Sequence, residues 1–370
     1  MITADSSRLV VACSLEPDAH PADVQTNQAL ARWLADIQGL EFSAELPGQG
    51  SAGRSIYWVP DATVAGRAQA ARLGVHGPLD LFGGYVEREF QGGKAIVHPL
   101  FERPTLTPKG WNDTFARRVQ PLVLDGNSVF CHNDAVRCAS ARLKRGPQRL
   151  KPAGGRGGMG QQVISDIDEL ADALRHLEEP DYRLGLVIED DLQEVRTHSV
   201  GQVMITGVLL SYHGIQQQTR NPRGELVYGG SDLLVVRGDF DGLLSLDLVA
   251  PVRETIQQAL LFDRAAHQSF PQFYASRRNY DLVQGTDIRG RPCSGVLEQS
   301  WRIGGASGAE LAALEAFVAE PALCVIRAAS FEIFEDKPLP DNAHVLYRGP
   351  DPHGDLVLKY AMVEPHELQR

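Results

Sequence analysis

Cysteine is scarce in this chain and unpatterned where it occurs. The five cysteines, Cys13, Cys131, Cys138, Cys293 and Cys324, are odd in number and show no Cys-x-x-Cys spacing. That argues against a disulfide scaffold or a zinc ribbon and for reduced thiols. Long apolar runs are missing too, and the opening MITADSSRLVVACS has no basic segment followed by an apolar one. The expectation is therefore a soluble, cytoplasmic protein with no membrane partner. Positive charge is in deficit: 36 Lys and Arg stand against 47 Asp and Glu, a formal charge of −11. Such a balance argues against nonspecific nucleic-acid binding, and the basic cluster RLKRGPQR at Arg142–Arg149 reads as a solvated helix end. No Gly-x-Ser-x-Gly elbow supports a Ser-His-Asp hydrolase, and His198 and His213, alternating with apolar residues, fit no zinc spacing and read as surface or satisfied histidines. Internal repeats and low-complexity segments are absent.

What the sequence does have is ordinary globular material, 370 residues with 43% hydrophobic and 22% charged, enough for two or three domains. Residues 1–119 alternate strands (Leu9–Cys13, Ile56–Val59, Ala95–His98) with helices (Ala22–Ile37, Val64–Leu73), which predicts a small parallel α/β unit with ELPGQGSAGR as a loop. Farther on, SDIDEL opens an amphipathic helix, Asp166–Leu177, with Ser165 as its cap. VGQVMITGVLLSYHGIQQQ and VYGGSDLLVVRG read as antiparallel strands, followed by a helix at Val252–Ala266. Past Cys324, AHVLYRG and DLVLKYAMV flank a PDPHGD turn and predict a β-hairpin.

Two runs carry chemistry. In QRLKPAGGRGGMGQQVISDID, from residue 148, a strand ends at Lys151, glycines crowd the next nine positions, and apolar residues resume at Val163. Glycines let backbone N–H groups close around an anion, and the strand-end lysine supplies a mobile positive charge, so the pattern suits phosphate. It is not a Walker A loop, because Lys151 precedes the glycines, and no Rossmann helix follows. A bare Gly/Arg tract or a long hairpin turn would share the composition. In the second run, IRGRPCSGVLEQSWRIGGASGAE from Ile288, strand alternation puts Val296, Glu298 and Ser300 on one face, with Arg302 continuing it before a small-residue helix from about Ser307. Hard oxygens followed by a guanidinium suit Mg²⁺ held against phosphate, although an edge strand with a solvated face reads the same way. FGGYVEREFQGGKAIVHPL, from Phe82, offers Lys94 and His98 as candidates for a pocket wall, or simply turns.

Together the two runs resemble the ATP-grasp superfamily: a phosphate-covering glycine loop with its strand-end lysine, then a Glu-x-Asn-x-Arg metal strand matched by Glu298, Ser300 and Arg302. The resemblance covers about residues 125–320. It implies an α+β, ATP-grasp fold: an N-terminal α/β domain (1–119), an ATP-grasp domain (120–323, divided at 188/189), and a C-terminal β-hairpin extension (324–370). It implies ATP and Mg²⁺ as cofactors. Lys151, Arg149, Gly154, Gly155, Gly157, Gly158 and Gly160 would meet the phosphates; the backbone of Glu189, Asp190, Asp191 and Leu192 in LVIEDDLQE would meet adenine; and Glu194 would reach the ribose. Asp281, Glu298 and Ser300 would hold the metal, with Asp287 competing with Asp281. Lys151, Arg302 and Arg278 (or Arg277) would act on the reacting groups. The superfamily's second phosphate lysine has no match at FCHNDAVRC, leaving Arg137, Lys144 or Arg149 as substitutes. The activity implied is ligation of a carboxylate to an amine or similar nucleophile through an acyl phosphate, both substrates small molecules, with homo-oligomers possible. A small-molecule kinase and a non-catalytic nucleotide-binding module are the alternatives.

Overall fold

The computed structural model describes residues 8–16, 19–44, 54–155 and 160–364. Most of the expected ELPGQGSAGR loop, along with Gly157 and Gly158, lies outside them. The N-terminal region is a parallel three-stranded sheet in the order Glu41–Ser43, Arg8–Cys13, Ser55–Pro60. Its central strand is an unbroken apolar run because both faces are covered: Val10 joins one core, Leu9 and Val11 another. Helix Pro21–Gln38 begins with proline, which has no N–H to leave unbonded, and ends where Gly39 turns left-handed at φ 65°.

Three local expectations change. Ala95–His98 is not a strand; a 3₁₀ turn spans Lys94–Ile96, and paired glycines before it favour a turn over a ladder. Val64–Ala65 is a short strand, and the helix behind it is confined to Arg67–Leu73. The acidic helix runs Ile167–Arg175 and is capped by Asp166, not Ser165: the Asp166 carboxylate accepts from the N–H groups of Asp168 and Glu169.

A short three-stranded sheet, Tyr274–Ala275, Gly84–Val86, Val64–Ala65, and two larger antiparallel sheets build the remainder. The smaller of these two runs Gly126–Val129, Leu186–Asp190, Gln148–Pro152, Gln162–Ile164. Its outer face, with Leu150, Leu186 and Ile188, packs on helices His132–Arg142 and Ile167–Arg175. The larger has eight strands, in the order Pro292–Ser300, Arg277–Thr286, Gln193–Ile205, Val208–Arg220, Leu226–Arg237, Val325–Ile333, Leu356–Val363, His344–Pro350. The expected C-terminal hairpin forms, and it completes this sheet. Helix Ala250–Ser269 covers one face of the large sheet, and helix Ser307–Ala319 lies in the core on the other. His198 and His213 are buried on the first face, their Nδ1 and Nε2 3.0 Å apart. Burial lowers both pKa values, His213 to about 4, so the pair is neutral at neutral pH. None of the described helices is long and apolar enough to cross a membrane.

Candidate functional site

The register at one edge of the large sheet decides which side chains meet. Asp281 is paired with Glu298, but Leu282 is paired with Val296, so Leu297 is an extra residue, a β-bulge. The bulge corrects the simple alternation. Val296 turns with Gln299 and Trp301 toward the helix-covered side, whose core holds Val296 and Trp301, while Glu298 and Ser300 share the other face with Asp281 and Asn279. Asp281 and Glu298 are thus cross-strand neighbours. Asp287 lies in the turn between the two strands, accepting from the N–H groups of Arg289 and Arg291 and pairing with the Arg291 guanidinium. Its carboxylate is committed there, so only Asp281 joins Glu298.

The small sheet presents a matching face. Lys151 and Arg149 lie one strand repeat apart, and Glu189, the register partner of Arg149, points the same way. Lys151 Nζ is 2.9 Å from Glu189 Oε1, and His98 Nε2 is 2.8 Å from Oε2. All three groups are buried. Burial alone would raise the Glu189 pKa, but Lys151 and then His98 outweigh it and hold the carboxyl down at about 2.

Lys94 joins the two sheets. The Gln299 amide donates to the carbonyls of Gln91 (3.0 Å) and Gly93 (2.6 Å), which anchors the 3₁₀ turn against strand Pro292–Ser300. Lys94, 2% exposed, then reaches Glu298 Oε2 at 3.0 Å and donates to the carbonyl of Gly155 in the glycine run at 2.6 Å. Burial opposes charge on Glu298, yet Lys94, Lys151 and Arg302 outweigh it and keep its pKa below the usual range. Asp281 goes the other way: burial, then the charge of Glu298, raise its pKa despite hydrogen bonds from Asn279, Ser199 and Gln216.

Other expected residues sit elsewhere. Arg278 alternates to the opposite face, where it pairs with Asp263 at 3.1 Å and donates to Gln202; it cannot act in this cleft. Arg277 does face it, but its buried guanidinium is held by Glu310 and by the Ser300 carbonyl (3.0 Å), so it braces the strand end. Arg302 donates to the Ile303 carbonyl at 2.7 Å and lies beside Ser300 and Gly304. Arg149 is bonded to Asp191, Arg137 to Asp134 and to the carbonyls of Glu102 and Arg103, and Lys144 is exposed. The second cation against the glycine run is Lys94, which the sequence marked only as a possible pocket wall.

In the 189–194 segment, the Glu189 side chain is taken by Lys151 and His98. The N–H groups of Asp190 and Asp191 donate to the carbonyls of Asp125 (3.0 Å) and Pro147 (3.3 Å), and Asp190 also binds Arg142. These four groups are therefore spent inside the fold. Leu192 remains well placed: with Leu124, Val283 and the bulged Leu297 it forms a small apolar patch beyond Glu298. Glu194 has a left-handed φ of 51°, a strained conformation for a side-chain-bearing residue, at an irregularity in its strand. Gly154, Gly155 and Gly160, with φ 73° at Gly160, frame the glycine run.

The cleft thus runs from an apolar patch, past lysines and paired carboxylates, to an arginine. The oxygens of Asp281, Glu298 and Ser300 suit a hard cation such as Mg²⁺, and the Asp281 pKa is raised first by burial and then by the neighbouring Glu298 carboxylate. No cluster of three or more His, Cys, Asp or Glu side chains suited to a metal occurs among the described residues. Ser199, Gln216 and Asn279 were not anticipated; only Asn279, two residues before Asp281 on one strand, carried a readable signal.

Comparison with known proteins bears on the family and the fold. The profile of the family DUF3182, described as a protein of unknown function, matches residues 10–361, and the chain belongs to that family. No curated protein matches its sequence. Similar solved structures include a biotin carboxylase from Campylobacter jejuni in complex with an ATP analogue (TM-score 0.55, 11% identity, 97% of this chain and 87% of that one). The biotin carboxylase domain of a Hydrogenobacter thermophilus 2-oxoglutarate carboxylase, bound to MgADP and bicarbonate, is similar at TM-score 0.55 and 13% identity, covering 97% and 86%. A D-alanine-D-alanine ligase from Helicobacter pylori is similar at TM-score 0.50 and 13% identity, covering 85% and 98%. The chain has the ATP-grasp fold.

Proposed function

We propose that this DUF3182 protein is an ATP-dependent ligase that activates a small-molecule carboxylate as an acyl phosphate and passes the acyl group to an amine or similar nucleophile. The observation that carries the reading is the meeting, in one cleft, of Lys94 and Lys151 with the Asp281–Glu298 pair, with Arg302 farther along the same strand face.

On this reading the parts follow the order of groups along the site. The adenine lies on Leu192, Leu124, Val283 and Leu297, the ribose within reach of Glu194, and the phosphates under the glycine run against Lys151 and Lys94. Asp281 and Glu298, with Ser300 as a weaker oxygen, would hold Mg²⁺. When bound, that cation neutralises phosphate oxygens and so lowers the repulsion an anionic carboxylate meets at the γ-phosphorus. The chain's own contribution starts from ion pairs already made. Lys151 exchanges Glu189, and Lys94 exchanges Glu298, for phosphate oxygens, which places both cations around the transferred group. A carboxylate oxygen attacks the γ-phosphorus, the bond to the β-phosphate oxygen breaks, and ADP leaves. Arg302 then stabilises the oxyanion that forms when the nucleophile adds to the acyl carbon, and inorganic phosphate departs. The glycine run excludes water, which would otherwise hydrolyse the acyl phosphate.

Screening carboxylates, amino acids and peptides first, for ADP release in the presence of hydroxylamine tests the reaction. A ligase gives carboxylate-dependent ADP and a hydroxamate. A stable phosphorylated alcohol without hydroxamate assigns a kinase, ATP binding without turnover assigns a binding module, and AMP with pyrophosphate contradicts the mechanism.

A further inference from the structure

Asp281 is held in an unusual way. Three donors from three strands converge on it: Ser199 Oγ at 3.1 Å, Gln216 Nε2 at 2.8 Å and Asn279 Nδ2 at 2.9 Å. All three reach the same oxygen, Oδ1. The donors also bond one another, since Gln216 Nε2 donates to Ser199 Oγ at 3.0 Å while the Ser199 hydroxyl donates onward to Asp281. The Asn279 amide turns its NH₂ to Asp281, and its carbonyl lies 2.9 Å from the Tyr212 hydroxyl, which also lies against Glu310, the partner of Arg277, so the hydroxyl's one proton is shared between two acceptors. Asn279 and Ser199 are 5% and 1% exposed, and Gly201, beside Tyr212, has no room for a Cβ, which would lie 2.3 Å from the Tyr212 hydroxyl. The rotamers of this network are therefore set by packing as well as by hydrogen bonds.

A carboxylate oxygen offers about two lone-pair directions. With three donors on Oδ1 that oxygen is saturated, and Oδ2 is what Asp281 has to offer a cation shared with Glu298. We infer that Asn279, Gln216 and Ser199 are positioning residues that lock Asp281 as a one-oxygen ligand and thereby set which divalent cation the cleft accepts. The inference rests on the proposed nucleotide and metal site. Octahedral cations such as Mg²⁺ and Mn²⁺ gain from a ligand fixed at one oxygen, whereas Ca²⁺ tolerates a two-oxygen carboxylate and irregular geometry. Releasing Oδ1 should therefore cost Mn²⁺ more than Ca²⁺.

The test uses the full chain with a non-hydrolysable ATP analogue, measuring the dissociation constants of the analogue alone, of Mn²⁺ by electron paramagnetic resonance, and of Ca²⁺ by competition. Gln216→Ala, half-buried and so mild for folding, and Asn279→Ala are compared with the wild type, with thermal melting as a control on folding. The expected result is a roughly tenfold or greater loss of Mn²⁺ affinity, a smaller loss for Ca²⁺, an unchanged metal-free nucleotide constant, and partial recovery of Mn²⁺ affinity in Asn279→Gln. Unchanged Mn²⁺ binding, or equal losses for the two cations, would overturn the positioning role while leaving the nucleotide site standing. A wild-type protein that binds no nucleotide would instead remove the functional reading, and the positioning role with it.

Discussion

The two walls of the cleft solve the same problem, buried charge, in opposite ways. On the small sheet, Glu189 sits between Lys151 and His98, every charge has a partner, and the carboxyl pKa falls to about 2. On the large sheet, Asp281 and Glu298 are cross-strand neighbours; Lys94, Lys151 and Arg302 hold the Glu298 pKa down, while burial and then the charge of Glu298 raise that of Asp281. On one wall the carboxylate is bracketed by Lys151 and His98; on the other the cations act on Glu298, and Asp281 is hydrogen-bonded by the neutral donors Ser199, Gln216 and Asn279. A buried ion pair is costly to break but self-sufficient, while two neighbouring carboxylates are stable as anions only with a cation between them. On the proposed reading, the small sheet is the prebuilt half, which would give up Lys151 to phosphate, and the large sheet is the half that a metal would complete.

Breaking the large-sheet wall has the largest expected effect. Glu298→Gln removes the group that joins Asp281, Lys94 and the cation, and Mg-dependent turnover should fall below detection in the ADP-release assay. Next comes Lys151→Ala on the small-sheet wall. It deletes a charge-assisted contact worth about 1.5–3 kcal/mol, so the nucleotide dissociation constant should rise about tenfold or more, measured by calorimetry.

Acid should loosen the small-sheet wall. The Glu189 pKa is below its unfolded value, so its stabilisation is fully present above pH 4.5 and is lost as pH falls toward about 2. The His213 pKa is also lowered, to about 4 from 6.5. The folded state therefore binds fewer protons than the unfolded state in that window, and stability should decline as pH falls from 6.5 to 4. Melting temperatures from pH 7 to 2 should drop in the wild type, with the pH 6.5–4 slope, set by the large sheet, reduced in His213→Gln and the further fall below pH 4.5 reporting Glu189. A smaller change probes the packing beneath His98. A Cβ on Gly126 would lie 2.7–2.8 Å from the ring, so Gly126→Ala should cost about 1–3 kcal/mol in urea unfolding. Ser300 is the mildest case: Ser300→Ala should keep most Mg-dependent turnover, and Ser300→Asn should be tolerated, because an amide oxygen is also a serviceable ligand.

The glycine run and the metal strand were legible because their chemistry is local: a strand-end lysine, dense glycines, and acid, hydroxyl and guanidinium at alternate positions. What stayed hidden was set by register and by distance along the chain. The bulge at Leu297 leaves no mark in GVLEQS, yet it swings Val296 off the face of Glu298. Arg277 and Arg278 are adjacent, and only strand phase, fixed by Tyr280 and Leu282 in the core, decides that Arg277 faces the cleft. Lys94 enters from a segment far from both motifs, tethered by Gln299, and no spacing rule links Lys94 to Glu298. Glu189 illustrates a different limit, since its charge could be noticed but its partner across the strand, Lys151, depended on the pairing of two strands.

The most direct test of the account is calorimetric titration of ATP into the wild type and Glu298→Gln, each with and without Mg²⁺. The account predicts that the wild type binds ATP and that Mg²⁺ tightens the binding, while Glu298→Gln keeps the metal-free affinity and loses the tightening. Absence of ATP binding, or a Mg²⁺ effect of equal size in the two proteins, would contradict it.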